Sequence, residues 1–396
     1  FDVALVSNGR SALALQTSID FGLVIRNPMI EITTIGAGGG SIAWVDRGGF
    51  LQIGPESAGS DPGPACYGFG NDYPTVTDAN LVLGRINADR PIGGNIERLD
   101  EEAAKSAIVT HVGAPLELDA MSAAEAIVRV ANSKMAGAIR LVSIERGHDP
   151  KRFAAMPFGG AGALHVGALI RDVGLGSAIV PRYPGVTSAL GCVIADMRHD
   201  FVHTINRPLD GIDVGPLDEE MVATAAHGFE LLDQSGIQFE GREVIYELDM
   251  SYIGQTHTVA VALPVELIDG TTSITEDIIH RAFESSYRAT YNRLLDSFAI
   301  RILSLRTAVI GRRPKFNLAA LSPTGGSLAE ASIGKREVWI DNGWRKTQIY
   351  DRLALPVGAR ISGPAILEQS DTTIFVDPGL SAEVDQFGNL VVKPHV

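Results

Sequence analysis

A strand-like run from Phe153 to Met156 leads straight into Phe158-Gly159-Gly160-Ala161-Gly162, and a helical stretch from about Ala163 to Asp172 follows. Ala178 to Val180 reads as a further strand. A strand, a glycine turn and a helix in succession restrict this part of the chain to α/β architectures. The turn is also suited to a ligand. Its N–H groups and the helix dipole can meet a phosphate or a ribose, and glycines leave room for an adenine ring. The spacing is not the dinucleotide fingerprint G-x-G-x-x-G, and no G-x-x-x-x-G-K-[ST] phosphate loop occurs in the chain. The alternative is a turn that only packs a helix closely against a strand.

A second glycine cluster runs from Gly36 to Gly40 and ends at Ser41. Consecutive glycines let the backbone take positive φ and let a ligand approach, because no Cβ intervenes. Successive N–H groups can form an anion-binding nest. A tight packing turn is again the alternative. Around this cluster, Phe1 to Val6 and Ala12 to Gln16 suggest a hairpin turned at Asn8-Gly9, and Ile30 to Ile35 a strand. Ile42 to Val45 and Phe50 to Ile53 suggest another hairpin. Residues 54–75 form a long loop rich in Gly, Pro and Ser, a type that is more often functional than idle.

Residues 119–146 carry the clearest helical pattern. Ser122 with Glu125 offers a capping box, Ala126 to Ile144 an apolar stripe, and Gly147 a stop. From about residue 205 the texture changes. Helices are expected over 217–236 and 275–294. Strands are expected over 244–253, 256–263, 300–310, 336–340, 348–350 and 365–369. A boundary near 200–215 divides an α/β region, residues 1–205, from an α+β region, residues 206–396, that ends in a small β module.

The chain has 396 residues and a formal net charge of -14, from 47 acidic and 33 basic side chains. That surface argues against a nucleic-acid binder, which neutralises phosphates with basic patches. No apolar run approaches the ~18–20 residues that span a bilayer. Two cysteines, Cys66 and Cys192, form no CxxC pair and fit a reducing cytoplasm. His199 and His203 stand four apart, a metal spacing on a helix, but Met197 to Thr204 reads as a strand, where such residues lie ~13 Å apart. No metal ligand set is therefore assigned.

Several ordered motifs carry a family resemblance. Ile35-Gly36-Ala37-Gly38-Gly39-Gly40-Ser41, Gly54-Pro55-Glu56-Ser57-Ala58-Gly59, Asp61-Pro62-Gly63-Pro64-Ala65-Cys66-Tyr67 and Thr75-Val76-Thr77-Asp78 resemble the hydantoinase A/5-oxoprolinase family, which includes a subunit of acetone and acetophenone carboxylases. Gly147-His148-Asp149-Pro150, the turn Gly159–Gly162 with His165, Pro184-Gly185-Val186-Thr187-Ser188 and Gly363-Pro364-Ala365 continue the resemblance over nearly the whole chain. Ala163 departs from it, standing where the family often has Pro.

The resemblance implies the second ribonuclease-H-like lobe of the actin/heat-shock-chaperone/sugar-kinase superfamily, followed by an α+β domain. It implies ATP with Mg²⁺. Gly159, Gly160, Ala161 and Gly162 would take the place of the adenosine motif. Gly38, Gly39, Gly40 and Ser41 would belong to the glycine turn after the lobe's first strands. Phe1-Asp2-Val3 matches the end of the family's second phosphate loop, so Asp2 would be that loop's last carboxylate and the first lobe would precede Phe1. The implied chemistry is ATP-driven opening of a cyclic amide with a hydantoinase B-type partner subunit. Alternatives are an ATP-dependent ketone carboxylase subunit and a non-catalytic scaffold. Asp2, Asp61 and Asp78 are the candidate catalytic carboxylates. Turn and cap chemistry is the competing role for each.

Overall fold

The computed structural model describes residues 1–14, 17–18, 21, 23–25, 29–93, 96–295 and 297–395. The chain forms two compact units. One comprises Phe1–Ala12, Ile30–Gly191 and Asn317–Val396; the other comprises Leu13–Met29 and Cys192–Phe316.

The first unit opens with β1 (Asp2–Val3), β2 (Val6–Ser7), β3 (Arg10–Ser11) and β4 (Thr33–Thr34). Asn8 and Gly9 take φ of 52° and 72°, so the expected turn is present and pairs β2 with β3. The hairpin is shorter than expected, however. β1 pairs antiparallel with β4, Asp2 opposite Thr34. Leu15 and Gln16, the end of the expected partner strand, lie outside the described residues. β5 (Ser41–Val45) and β6 (Leu51–Ser57) then form the second hairpin.

The longer helices that follow are α1 (Val76–Val82), α2 (Glu101–Ile108) and α3 (Ala120–Val142). Helix α3 buries Ile127, Val128, Ala131, Met135, Ile139 and Val142, one stripe at helical spacing. Each large apolar side chain so buried contributes about 1.5–3 kcal/mol. Its cap differs from the expected Ser122/Glu125 box. Asp119 is the N-cap, and its carboxylate accepts from Ser122 N at 2.8 Å and Ser122 Oγ at 2.9 Å. A carboxylate one turn earlier out-competes the serine because it satisfies the N–H and adds charge at the positive end of the helix. The helix stops at Val142, and a short 3₁₀ turn ends on Gly147 at φ 79°. Next come β7 (Ala154–Ala155), α4 (Val166–Val173) and β8 (Ser177–Val180). β7 and β8 are parallel, so the strand–turn–helix signal closes as a βαβ unit.

The second unit holds β9 (Met197–Pro208), α5 (Gly215–Gln234), β10 (Gly241–Tyr252), β11 (Val259–Ala262), α6 (Glu276–Tyr291) and β12 (Ile300–Arg312). Its antiparallel sheet runs β9-β12-β10-β11. Met221, Ala225, Tyr246, Leu248, Ile279, Phe283, Tyr287 and Leu305 pack as its core. Both expected helices and the expected strands of this region are present within a few residues of their anticipated ends.

The chain then returns to the first unit. β13 (Ser332–Ile340), β14 (Gly343–Asp351), β15 (Arg360–Ser362), β16 (Ala365–Gln369), β17 (Thr372–Val376), β18 (Leu380–Val384) and β19 (Leu390–Pro394) complete it. One sheet runs β13-β14-β16-β17. The other runs β7-β8-β19-β18-β15, so strands more than 200 positions apart in sequence share hydrogen bonds. Val166, Ile170, Val180, Leu367, Val376 and Val392 meet in one core. Among the described residues, no helix is long and apolar enough to cross a membrane.

Candidate functional site

The first glycine turn is folded around its own atoms. Gly38 N donates to Ser41 Oγ at 2.9 Å, and Ser41 N donates back to Gly38 O at 3.1 Å. A Cβ on Gly36 would stand 2.7 Å from Pro55 Cα. Gly39 O accepts from Thr77 N at 2.9 Å and from Thr77 Oγ1 at 3.0 Å, so helix α1 holds this turn from its first residues.

The second turn is more open. Gly159 takes φ 81° and donates its N–H to Pro184 O at 2.8 Å. A Cβ there would meet nothing within 4 Å. The N–H groups of Gly160, Ala161 and Gly162 have no protein acceptor among the described residues. Three free N–H groups ahead of a helix are the donor set that an oxyanion or a hydroxyl recruits. The two turns come together. A Cβ on Gly39 would lie 3.5 Å from the Ala161 Cβ and 2.9 Å from Thr77 Oγ1. The fold therefore joins the two clusters that the sequence offers separately.

Two side chains of the second turn's frame, Thr372 and Asp371, carry no signal in the local sequence. Thr372 Oγ1 donates to Gly160 O at 3.1 Å, and Gly185 N donates to Asp371 Oδ2 at 2.9 Å. These partners lie about 190–210 residues apart, so only the folded chain reveals them. Thr77 was available to sequence reading as the residue between the caps Thr75 and Asp78, but its contact with Gly39 was not.

The three carboxylates occupy different settings. Asp2 is exposed on β1 and accepts from Thr34 Oγ1 at 2.5 Å. Thr34 stands two residues before Gly36, which places Asp2 on the strand pair that feeds the first turn. Asp61 is exposed in the long loop. Asp78 is fully buried. One of its oxygens accepts from Cys66 N at 2.8 Å; the other accepts from Ala65 N at 3.2 Å, Thr75 N at 2.8 Å and Thr75 Oγ1 at 2.8 Å. With Thr75 as N-cap it completes a reciprocal capping box on α1, so the helix begins at Val76. This carboxylate ties the long loop to the helix that holds Gly39. Burial, and after it the Asp78 charge, push the Cys66 thiol well above its usual range, so it is no nucleophile. Among the described residues no group of three or more His, Cys, Asp or Glu side chains is placed to hold a metal. His199 and His203 lie on strand β9, as the β pattern implied.

His165 follows the second turn. It is buried, and its Nδ1 lies 2.7 Å from Asn132 Oδ1 on α3. Because the amide oxygen only accepts, Nδ1 carries the proton. Burial, with a smaller contribution from the Arg85 charge, lowers its pKa to about 4. At neutral pH it is therefore an uncharged strut between the turn and the long helix.

The profile of the hydantoinase/oxoprolinase family matches residues 1–201, and that of the hydantoinase/oxoprolinase C-terminal domain matches residues 218–393. The caprolactamase alpha subunit of Pseudomonas jessenii is 33% identical over 399 residues, covering 100% of this chain and 57% of that protein. The acetophenone carboxylase gamma subunit of Aromatoleum aromaticum is 32% identical, covering 99% of this chain and 55% of its own. The crystal structure of the ATP-dependent caprolactamase from Pseudomonas jessenii superposes with a TM-score of 0.78 at 31% identity, covering 100% of this chain and 57% of that one. The chain thus spans little more than half the length of these relatives. The likeness bears out the expected actin-like α/β class.

Proposed function

This chain belongs to the hydantoinase/oxoprolinase family, and from that premise we propose that its two glycine turns form one side of an ATP site in a cyclic amide hydrolase. The observation that carries the reading is the approach of Gly39 to Ala161, which brings an N–H-rich turn at a helix start against a second glycine turn. Gly159, Gly160, Ala161 and Gly162 would receive the adenosine. The backbone of Gly38, Gly39, Gly40 and Ser41 would border the phosphates. A Cβ at Gly39 would press on Thr77 Oγ1 and approach Ala161, so glycine there is what lets the two turns close on each other.

Asp2, exposed beside the first turn, is the carboxylate we assign toward the γ-phosphate. Mg²⁺ is usually held by phosphate oxygens and one or two carboxylates, so the lack of a metal cage among the described residues is compatible with its use. Asp61, exposed on the long loop, remains available to a substrate. Asp78, with both oxygens engaged, shapes the site from beneath. The chemistry supplied by ATP would be phosphorylation of the amide oxygen. That breaks amide resonance, creates a leaving group and makes the carbon electrophilic. This chain's part is to position the nucleotide and exclude misalignment.

Activity would belong to an assembly that includes a hydantoinase B-type partner, since the relatives named are themselves subunits of larger enzymes. The test is ADP release by the natural full-length protein with its partner. Separate arms carry ε-caprolactam, 5-oxoproline, hydantoin, and acetophenone with bicarbonate. Stimulation by a cyclic amide is the expected result. Stimulation only by the ketone with bicarbonate would transfer the assignment to a carboxylase, and no stimulation in any arm would leave a scaffold.

A further inference from the structure

The second unit contains a polar cavity of its own, of about 520 Å³, within the range of small-molecule sites. It opens on the face of the sheet opposite the packed core. Asp249 pairs in register with Ser304, and Ser304 with Thr204, while the neighbouring Leu248 and Leu305 point into the core. Arg306 stands beside them. Asp249 and Arg306 are 6% and 8% exposed, which is rare for charged residues. Arg306 Nε donates to Asp249 Oδ2 at 2.8 Å, and Ser304 Oγ donates to the same oxygen at 2.5 Å.

The pair is only half satisfied. Among the described residues, neither Arg306 Nη1 nor Asp249 Oδ1, both buried, has a hydrogen-bond partner. A buried polar atom left unpaired keeps its full desolvation penalty, so a ligand that pairs it gains. Both residues line the cavity, and Thr204, Asn206 and His257 line it with them. The pair is neutral as a unit. A simple anion would find its guanidinium already matched, and a simple cation would find its carboxylate already matched. A ligand that relieves both atoms must accept at one point and donate at another, and must carry no net charge of its own across those two points.

We propose that this cavity binds a zwitterionic amino acid, its carboxylate on Arg306 and its ammonium on Asp249. Guanidinium–carboxylate pairing is charge-assisted and geometrically selective. The hydroxyls and amide on the cavity wall satisfy the remaining polar edge. The ligand class follows from the pair's own chemistry and stands apart from the ATP reading. That reading adds one point, that ring opening of a cyclic amide produces an amino acid or its derivative, so the cavity would serve as a product-responsive site.

The test is calorimetry on the 396-residue chain without nucleotide. The probes are L-alanine and L-glutamate, with acetate and ethylamine as single-charge controls and 2-pyrrolidinone as a neutral amide. Amino acids are expected to bind at least tenfold more tightly than any of the three others. A D249N/R306M double variant removes both charges together and leaves no lone buried ion. It is expected to lose at least tenfold in amino-acid affinity with little change in melting temperature. Absence of amino-acid binding, equal binding of acetate or ethylamine, preference for 2-pyrrolidinone, or full affinity in the double variant would each overturn the proposal. The probe comparison needs no variant, and none of it depends on ATP turnover.

Discussion

The two glycine turns differ in what surrounds the space their missing side chains leave. Around Gly36 and Gly39 that space is filled by the protein itself, by Pro55 at 2.7 Å and Thr77 Oγ1 at 2.9 Å. At Gly159 it is empty, and at Gly160 and Gly162 the nearest atoms stand 3.6 Å and 3.7 Å away, at ordinary contact. At Gly36 and Gly39 the first turn therefore needs glycine in order to pack. At Gly160 and Gly162 the second turn has room for a methyl group that it does not carry, whereas Gly159 is held to glycine by its φ of 81°. A glycine required by packing and a glycine with open space beside it look alike in sequence; the contacts of an imagined Cβ separate them.

That contrast can be broken by substitution. The largest effect is expected beneath the first turn. Asp78→Ala would strand the buried N–H groups of Ala65, Cys66 and Thr75 and should lower stability by about 4 kcal/mol in urea unfolding. A loss under 1 kcal/mol would show that the carboxylate is not the clamp described. Gly36→Ala comes next, at about 3 kcal/mol, because the new methyl meets backbone that cannot swing aside.

The strut behind the second turn gives a pH signature. The folded pKa of His165 lies near 4, below the ordinary value of 6.5. The unfolded chain binds the proton first as pH falls, so its contribution is complete above about pH 6.5 and is lost progressively toward pH 4. The loss amounts to roughly 3 kcal/mol. His165→Gln, compared with the parent across that window, should lack this component; parallel curves for the two proteins would refute the buried neutral assignment. The smallest structural effect is expected at Gly162→Ala, below about 0.5 kcal/mol in stability. The same change should weaken nucleotide binding by roughly tenfold, or about 1.4 kcal/mol, in the full-length protein. A stability loss as large as that of Gly36→Ala would erase the difference between the turns.

Local signals carried much of the fold. The Asn8-Gly9 turn, the β5–β6 hairpin, helix α3 and the strand–turn–helix at Gly159 all depend on neighbours within a few residues, where propensity and period decide. The cap of α3 was misplaced by three residues because Asp119 and Ser122 are both good caps, and their competition is settled by charge at the helix end. The partner of β1 was misjudged for a different reason. Asn8-Gly9 does turn the chain, but the backbone of Asp2 and Val3 finds Thr33 and Thr34, and pattern alone cannot rank two acceptable edges.

By itself the sequence determined the class of the elements, the two glycine turns and the family to which they belong, since these reside in short ordered motifs. Only the tertiary structure decided that Gly39 meets Ala161, that Asp371 and Thr372 brace the second turn, that Asp78 is a clamp, and that residues 317–396 complete the first unit's sheets. Local structure follows from a residue's own dihedral and capping preferences. Contacts across 100 or 200 positions follow from which apolar faces and unpaired backbone groups bury one another, and that is a property of the whole folded chain.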